Sequence, residues 1–244
     1  MSGARDWRRI AGFRVVMSWP QAGYAPPPSK LVSPRARIAG LAGVLLIIAG
    51  AATIGVAIAA QVHAPQPSLT AAGILGPFGG QAHAPLRRSL PVSVDIPAIG
   101  VHSKLLHLGV NPDGTIRVPS LNTRADEAAW YKYSATPGQM GVSVIEGHVD
   151  SYQGAAVFFR LGALRPGDSI NVTLANGTTA VFRVTGVRRY AKTRYPAKTI
   201  YGAAGFPALR LITCGGTFDY TTRSYLSSTV VFASLTSAHQ AAAA

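Results

Sequence analysis

Apolar residues are unevenly spread along the 244-residue chain. One block, Ile38 to Ala60, reads IAGLAGVLLIIAGAATIGVAIAA and runs for 23 residues without a charge. At about 1.5 Å of rise per residue a helix of this length crosses a hydrocarbon layer of roughly 30 Å, so residues 38–60 are expected to form a transmembrane signal anchor. From Leu90 the texture changes. Pro91 to Pro97 alternates apolar and polar residues, and similar runs follow at Thr115 to Val118, Gly141 to Glu146, Ser169 to Leu174, Thr179 to Val187, Leu209 to Thr213 and Tyr225 to Ala233. Alternation at period two marks a strand with one buried face. Turn signals separate these runs at Asn111-Pro-Asp-Gly114, Pro137-Gly138, Arg165-Pro-Gly-Asp168 and Asn176-Gly177, and the Asn-Gly pair joins two alternating runs as a hairpin would. A short helix is predicted over Ala156 to Ala163, where Val157, Phe158, Leu161 and Leu164 recur at three- and four-residue spacing. Seven or eight short strands with one or two short helices predict an all-β, closed or nearly closed barrel, an arrangement that leaves no sheet edge exposed.

The segments around the apolar block set the expected organisation. Residues 1–37 carry Arg5, Arg8, Arg9, Arg14, Lys30, Arg35 and Arg37 against Asp6 and include Pro26-Pro27-Pro28, which reads as a basic, disordered cytoplasmic tail. Gln61 to Leu86 carries no Lys, Arg, Asp or Glu, so the positive-inside rule places the N-terminus in the cytoplasm and the remainder outside the cell. A cleaved signal peptide is the alternative, since Ala57-Ile58-Ala59 is a small-residue pattern of the right kind. Residues 61–89, rich in Ala, Gly and Pro, read as a linker lifting a domain off the membrane; residues 90–236 as the extracellular domain; and residues 237–244 as a flexible tail.

Charge narrows the partners. Of the net +14, residues 1–60 account for +6 (7 basic, 1 acidic) and the rest for +8 (16 basic, 8 acidic), so much of it belongs to topology. The remainder suits an anionic wall or lipid surface, or a solvated basic face, and no nucleic-acid-binding pattern accompanies it.

Three residues are candidates for chemistry. Cys214 is the single cysteine, so the domain is no disulfide scaffold; it follows Leu211-Ile-Thr213 at an expected strand end, where Gly215-Gly216 opens a loop. A buried apolar thiol is the bland reading, and a nucleophile is the other. A nucleophile needs a proton-transfer partner and a donor for the developing oxyanion. Of the six histidines, His63, His83 and His239 fall in the linker or tail, and His102 and His107 have no special context. His148 follows the predicted strand Gly141 to Glu146 in the segment Gly147-His-Val-Asp-Ser151. Arg223 lies nine residues past Cys214, before the last strand, where a hairpin would let its guanidinium and the thiol face one pocket. Asp150, Asp168 and Asp219 form no ligand series at metal spacing, so no metal and no cofactor is expected.

The segments Gly147-His-Val-Asp-Ser151 and Leu211-Ile-Thr-Cys214, with Arg223 entering the last strand, strongly resemble the sortases, membrane-anchored cysteine transpeptidases of Gram-positive bacteria. The resemblance spans roughly Pro91 to Leu235. Ala156-Val-Phe-Phe-Arg-Leu-Gly162 and the Cys-Gly-Gly-x-Phe-Asp pattern at 214–219 look most like the actinobacterial class F group. One departure stands out: where the family shows Thr-Leu-x-Thr-Cys, Arg210 occupies the first position.

The resemblance implies a sortase-like barrel in which Cys214 is the nucleophile, His148 the general acid and base, and Arg223 the stabiliser of the transition state. It implies as substrates secreted proteins with a C-terminal LPxTG-like sorting signal, and as acceptor an amine of the cell-wall precursor or of another protein subunit. The connection Tyr190 to Pro207 would help form the peptide groove, although core packing explains its Tyr195, Tyr201 and Phe206 equally well. A catalytically idle barrel that binds wall polymer or peptide, and a thiol hydrolase that uses water as acceptor, are the competing functions.

Overall fold

The computed structural model of the chain describes residues 63–240. The predicted cytoplasmic tail and the predicted span 38–60 lie outside the described residues. Among the described residues no helix is long and apolar enough to cross a membrane.

Among the described residues ten strands form: β1 (Pro91–Ile96), β2 (Val101–Leu108), β3 (Ala128–Tyr131), β4 (Gly141–Glu146), β5 (Asp150–Ser151), β6 (Gly154–Ala155), β7 (Ser169–Leu174), β8 (Thr178–Ala191), β9 (Pro207–Asp219) and β10 (Ser224–Gln240). Eight of them close a barrel in the order β1-β2-β3-β4-β9-β10-β8-β7, and β5 pairs with β6 in a separate small ribbon. The Asn176-Gly177 turn joins β7 and β8 as an antiparallel hairpin, with Gly177 at φ +80°. Two barrel seams are parallel, β2 with β3 and β4 with β9.

Several elements differ from the sequence expectation. The stretch at Thr115 to Val118 forms only an isolated bridge between Val110 and Ile116. β2 and β3, in contrast, fill places where no alternating run was evident; in β3 the reason is an unbroken buried run, Ala128-Ala129-Trp130, which shows no alternation. Ala156 to Ala163 is a series of turns ending in the 3-10 turn Leu161–Ala163, and the single described α-helix, α1 (Ala197–Tyr201), lies in the β8–β9 connection. β10 continues beyond the expected domain end, with Ser237, Ala238, His239 and Gln240 paired to β8.

Alternation along the barrel strands builds two cores. Inward residues, among them Ile96, Trp130, Ile145, Phe158, Phe182, Leu209, Leu211 and Val231, fill the barrel. Outward residues of β4, β9 and β10 (Val142, Val144, Ala208, Ile212, Val230, Phe232) are covered by Ile200 and Tyr201 of α1, with Tyr195 and Phe206 packed alongside. Leu209 and Leu211 point inward and Ala208 and Ile212 outward, so by period two Arg210 and Cys214 share the outward face.

The segment ahead of β1 lies against the barrel. Ile74 donates its backbone N–H to the Thr185 carbonyl at 2.9 Å, Leu86 donates to Gly138 O at 2.8 Å, and Phe78 N–H donates to Ser234 Oγ at 2.7 Å. Arg188 donates from Nε to Ala72 O at 2.9 Å and from Nη2 to Gly73 O at 3.1 Å.

Candidate active site

The seam between β4 and β9 sets the site. Its parallel register pairs Val144 with Arg210 and Glu146 with Ile212, and the Gly147 N–H extends it by donating to the Ile212 carbonyl at 3.2 Å. The ladder ends at Glu146 and Ile212, so His148 just after β4 and Cys214 within β9 both lie at the same end of this seam. Neighbouring strands lie about 4.8 Å apart, so the seam delivers imidazole and thiol to one end of the barrel.

His148 is held from three sides. Its carbonyl accepts the Phe158 N–H at 2.9 Å. A Cβ on Gly147 would stand 2.6 Å from Val157 Cγ1 and 2.7 Å from Phe158 Cδ2, so only glycine lets these turns close on the histidine. The ring Nε2 bonds the Pro119 carbonyl at 2.7 Å. A carbonyl only accepts, so Nε2 carries the proton and Nδ1 is the basic nitrogen of the neutral ring. Burial pushes the imidazole pKa down, against opposing contributions from the Pro119 carbonyl and the Asp150 charge.

Cys214 is 3% exposed and unbridged. Burial pushes its thiol up to about 12, the Lys192 ammonium pulls it down both as a charge and as a hydrogen-bond donor, and Glu146 and Asp150 push it up. Asp150 thus acts on both Cys214 and His148. Asp150 accepts a short hydrogen bond from the Tyr225 hydroxyl, which ties the β5 ribbon to β10. At neutral pH the resting pair is therefore thiol and neutral imidazole.

The two glycines after Cys214 do not open a loop. β9 runs on through Gly215 and Gly216 to Asp219, and its pairing with β10 slips between Tyr225 and Ser227. Gly216, at φ +80°, supplies the left-handed residue of this bulge. A Cβ on Gly215 would stand 2.7 Å from Thr229 Oγ1, so both glycines answer to the sheet around them.

Arg223 is exposed in the turn between β9 and β10, with φ +49°. The partner of Cys214 across the β9–β10 ladder is Ser228, five residues along from Arg223, on the order of 16 Å of extended chain. The β9–β10 register does not bring the Arg223 backbone level with Cys214.

Groups absent from the sequence candidates complete the setting. Glu146 is buried at 1% exposure; Tyr201 donates its hydroxyl to Oε1 at 3.4 Å, and Oε2 has no partner. Burial raises its carboxyl to about 8, so it is mostly protonated at neutral pH. Arg210, 4% exposed, stacks its guanidinium 4.6 Å over the Phe232 ring and leaves Nε without a partner. Tyr195 and Tyr201 link hydroxyl to hydroxyl at 3.4 Å, so these aromatics belong to the outer core more than to an open groove. The signal for Glu146 was present as a carboxylate ending an otherwise apolar strand; Pro119 and Lys192 carried none. Among the described residues no group of three His, Cys, Asp or Glu is placed to hold a metal ion. Asp168 and Asp219 instead accept local hydrogen bonds, from Arg165 N–H at 2.8 Å and from Thr221 N–H at 2.8 Å respectively.

The described residues thus form a closed eight-stranded barrel that buries a single unbridged cysteine. Residues 94–236 match the sortase domain family, and the chain belongs to that family of cysteine transpeptidases. Among solved structures, it is similar to a sortase A from Listeria monocytogenes at 14% identity, over 64% of this chain and 92% of that one, with a TM-score of 0.47. A sortase A from Corynebacterium diphtheriae is 22% identical over 62% of each chain (TM-score 0.45), and sortase C1 from Streptococcus agalactiae 18% identical over 59% of this chain and 66% of that one (TM-score 0.46). No protein with a curated description matches the sequence.

Proposed function

We propose that this chain is a membrane-anchored sortase of the actinobacterial class F type, which cleaves an LPxTG-like sorting signal and transfers the acyl group to an amine. Cys214 loses its proton to His148, and the thiolate attacks the threonine carbonyl of the signal. The C–N bond breaks as His148 returns the proton to the leaving amine, and a thioacyl-enzyme remains. An acceptor amine of the cell-wall precursor or of another subunit then attacks the thioester, His148 takes its proton, and the thiol is restored. Arg223 stabilises the tetrahedral oxyanion of both steps. The apolar block 38–60 and the basic residues ahead of it support an anchored enzyme with its barrel outside the cell.

The observation that supports the reading is the parallel β4–β9 seam, at whose one end both His148 and Cys214 lie, with Asp150 acting on both. The test incubates the full chain in detergent, and its Cys214→Ala variant, with a panel of LPxTG-like peptides and with triglycine or diaminopimelate. Expected are a peptide adduct on Cys214 by mass spectrometry and an amine-joined product, both absent from the variant. A wild-type protein inert toward every peptide overturns the enzyme reading; release of the free carboxylate alone, whatever amine is added, replaces transfer by hydrolysis.

A further inference from the structure

A hydrogen bond joins the segment that follows His148 to the segment that follows Arg223: the Tyr225 hydroxyl donates to the Asp150 carboxylate. Asp150 stands two residues past His148, and Tyr225 two residues past Arg223. Strand pairing does not make this connection. The β5–β6 ribbon that holds Asp150 pairs with itself and, among the described residues, with no barrel strand. In the β9–β10 hairpin the pairing slips between Tyr225 and Ser227, so the row of Cys214 and Ser228 does not fix the rows beyond the bulge. Those rows are held locally. Tyr225 stands opposite Phe218, whose ring packs edge-to-face with the Tyr225 ring and the Tyr220 ring, each at 5.1 Å between centroids. Asp219 accepts the Thr221 N–H and the Thr222 hydroxyl, both at 2.8 Å, and this shapes the turn ahead of Arg223.

Resting on the transpeptidase reading, we infer that Tyr225 is a positioning residue: by donating to Asp150 it ties the segment behind His148 to the segment behind Arg223 and fixes the two side chains relative to each other. Tyr225 touches no reacting atom in this role and exchanges no proton. A hydroxyl donating to a carboxylate makes a stronger bond than a neutral pair, and both residues are half-buried, which limits competition from water. The proton carrier and the oxyanion stabiliser act on the same tetrahedral carbon from different strands. A misplacement of about 1 Å between such groups slows a reaction by up to about a hundredfold, so a bond that spans the two segments bears directly on rate.

The experiment compares the full-length wild type in detergent with Tyr225→Phe, Asp150→Ala, the double variant and Tyr220→Phe, each checked for folding by circular dichroism. Tyr225→Phe keeps the ring against Phe218 and removes only the donor. It should lower kcat for peptide transfer about tenfold and leave KM within about twofold. In the Asp150→Ala background the same change should have no further effect, because the acceptor is already gone. Tyr220→Phe strips a hydroxyl from the other ring on Phe218 and should match the wild type. Hydrogen exchange read by mass spectrometry needs no peptide, and Tyr225→Phe should speed it several-fold across the β5–β6 ribbon. Unchanged exchange in folded Tyr225→Phe overturns the tie. An unchanged kcat, a rise in KM alone, or an equal loss in the Asp150→Ala background overturns the positioning role. A wild type inert toward every peptide sinks the transpeptidase reading instead, and the exchange rates still decide whether Tyr225 holds the ribbon to β10.

Discussion

Glu146 turns a buried carboxyl into a measurable dependence of stability on pH. Its pKa rises from 4.5 to about 8, principally through burial and against the opposing hydrogen bond from Tyr201. Below pH 4.5 the folded and unfolded chains both hold the proton, and the stability associated with the neutral side chain is fully present. As pH rises toward about 8 the unfolded chain releases a proton that the folded chain keeps, so stability falls until the folded carboxyl itself ionises. At 1.36 kcal/mol per pH unit, the interval from 4.5 to about 8 corresponds to about 5 kcal/mol, of which about 4 kcal/mol is lost between about pH 5 and pH 8. Glu146→Gln keeps the shape and the acceptor for Tyr201 and removes the titration. The variant should therefore match the wild type at about pH 5 and exceed it by about 4 kcal/mol at about pH 8 in urea unfolding followed by circular dichroism. His148 works in the opposite direction: its pKa is depressed, so its stability is present above the unfolded value of 6.5 and is lost as pH falls. Because both proteins retain His148, the difference between their profiles isolates Glu146. Parallel profiles over this range would refute the reasoning.

Arg210→Met should change stability by less than about 1 kcal/mol in the same assay. Burial lowers the guanidinium pKa from 12.5 to about 10, a penalty of about 3 kcal/mol on the charge that offsets its stacking on Phe232 and its bond to Leu209 O; a loss above about 3 kcal/mol would contradict this. Arg188→Ala removes the donors to the Ala72 and Gly73 carbonyls and should speed protease cleavage within residues 63–90 several-fold, with the barrel destabilised by only about 1–2 kcal/mol; unchanged cleavage would mean that the segment is held by its backbone bonds alone.

The chemistry-bearing candidates were legible because their signals are local. An alternating run ending in Gly147-His148 and another ending in Thr213-Cys214 each announce a strand with a reactive residue at its tip, and β1, β4 and β7 stand where the alternation placed them. Strands without alternation were not legible. β3 is buried on both faces along Ala128-Ala129-Trp130, and only its neighbours β2 and β4 make it a strand. The helix moved for a related reason: the apolar spacing at Val157, Phe158, Leu161 and Leu164 serves packing against the barrel and Gly147, which turns satisfy as well as a helix does.

Sequence alone determined the residue types available: one thiol, a histidine after a strand, buried faces at period two, and an apolar block long enough for a bilayer. Tertiary structure decided which of them meet. The parallel seam of β4 and β9 joins segments far apart in the chain, and only that pairing brings positions 148 and 214 to the same end of one seam. The same closure leaves Arg223 in the turn beyond β9 and seals Glu146 under α1, where its carboxyl stays protonated. The reason is physical: side-chain period is a property of one strand, whereas register, burial and the charges that shift a pKa arise only when strands from distant parts of the chain share a sheet.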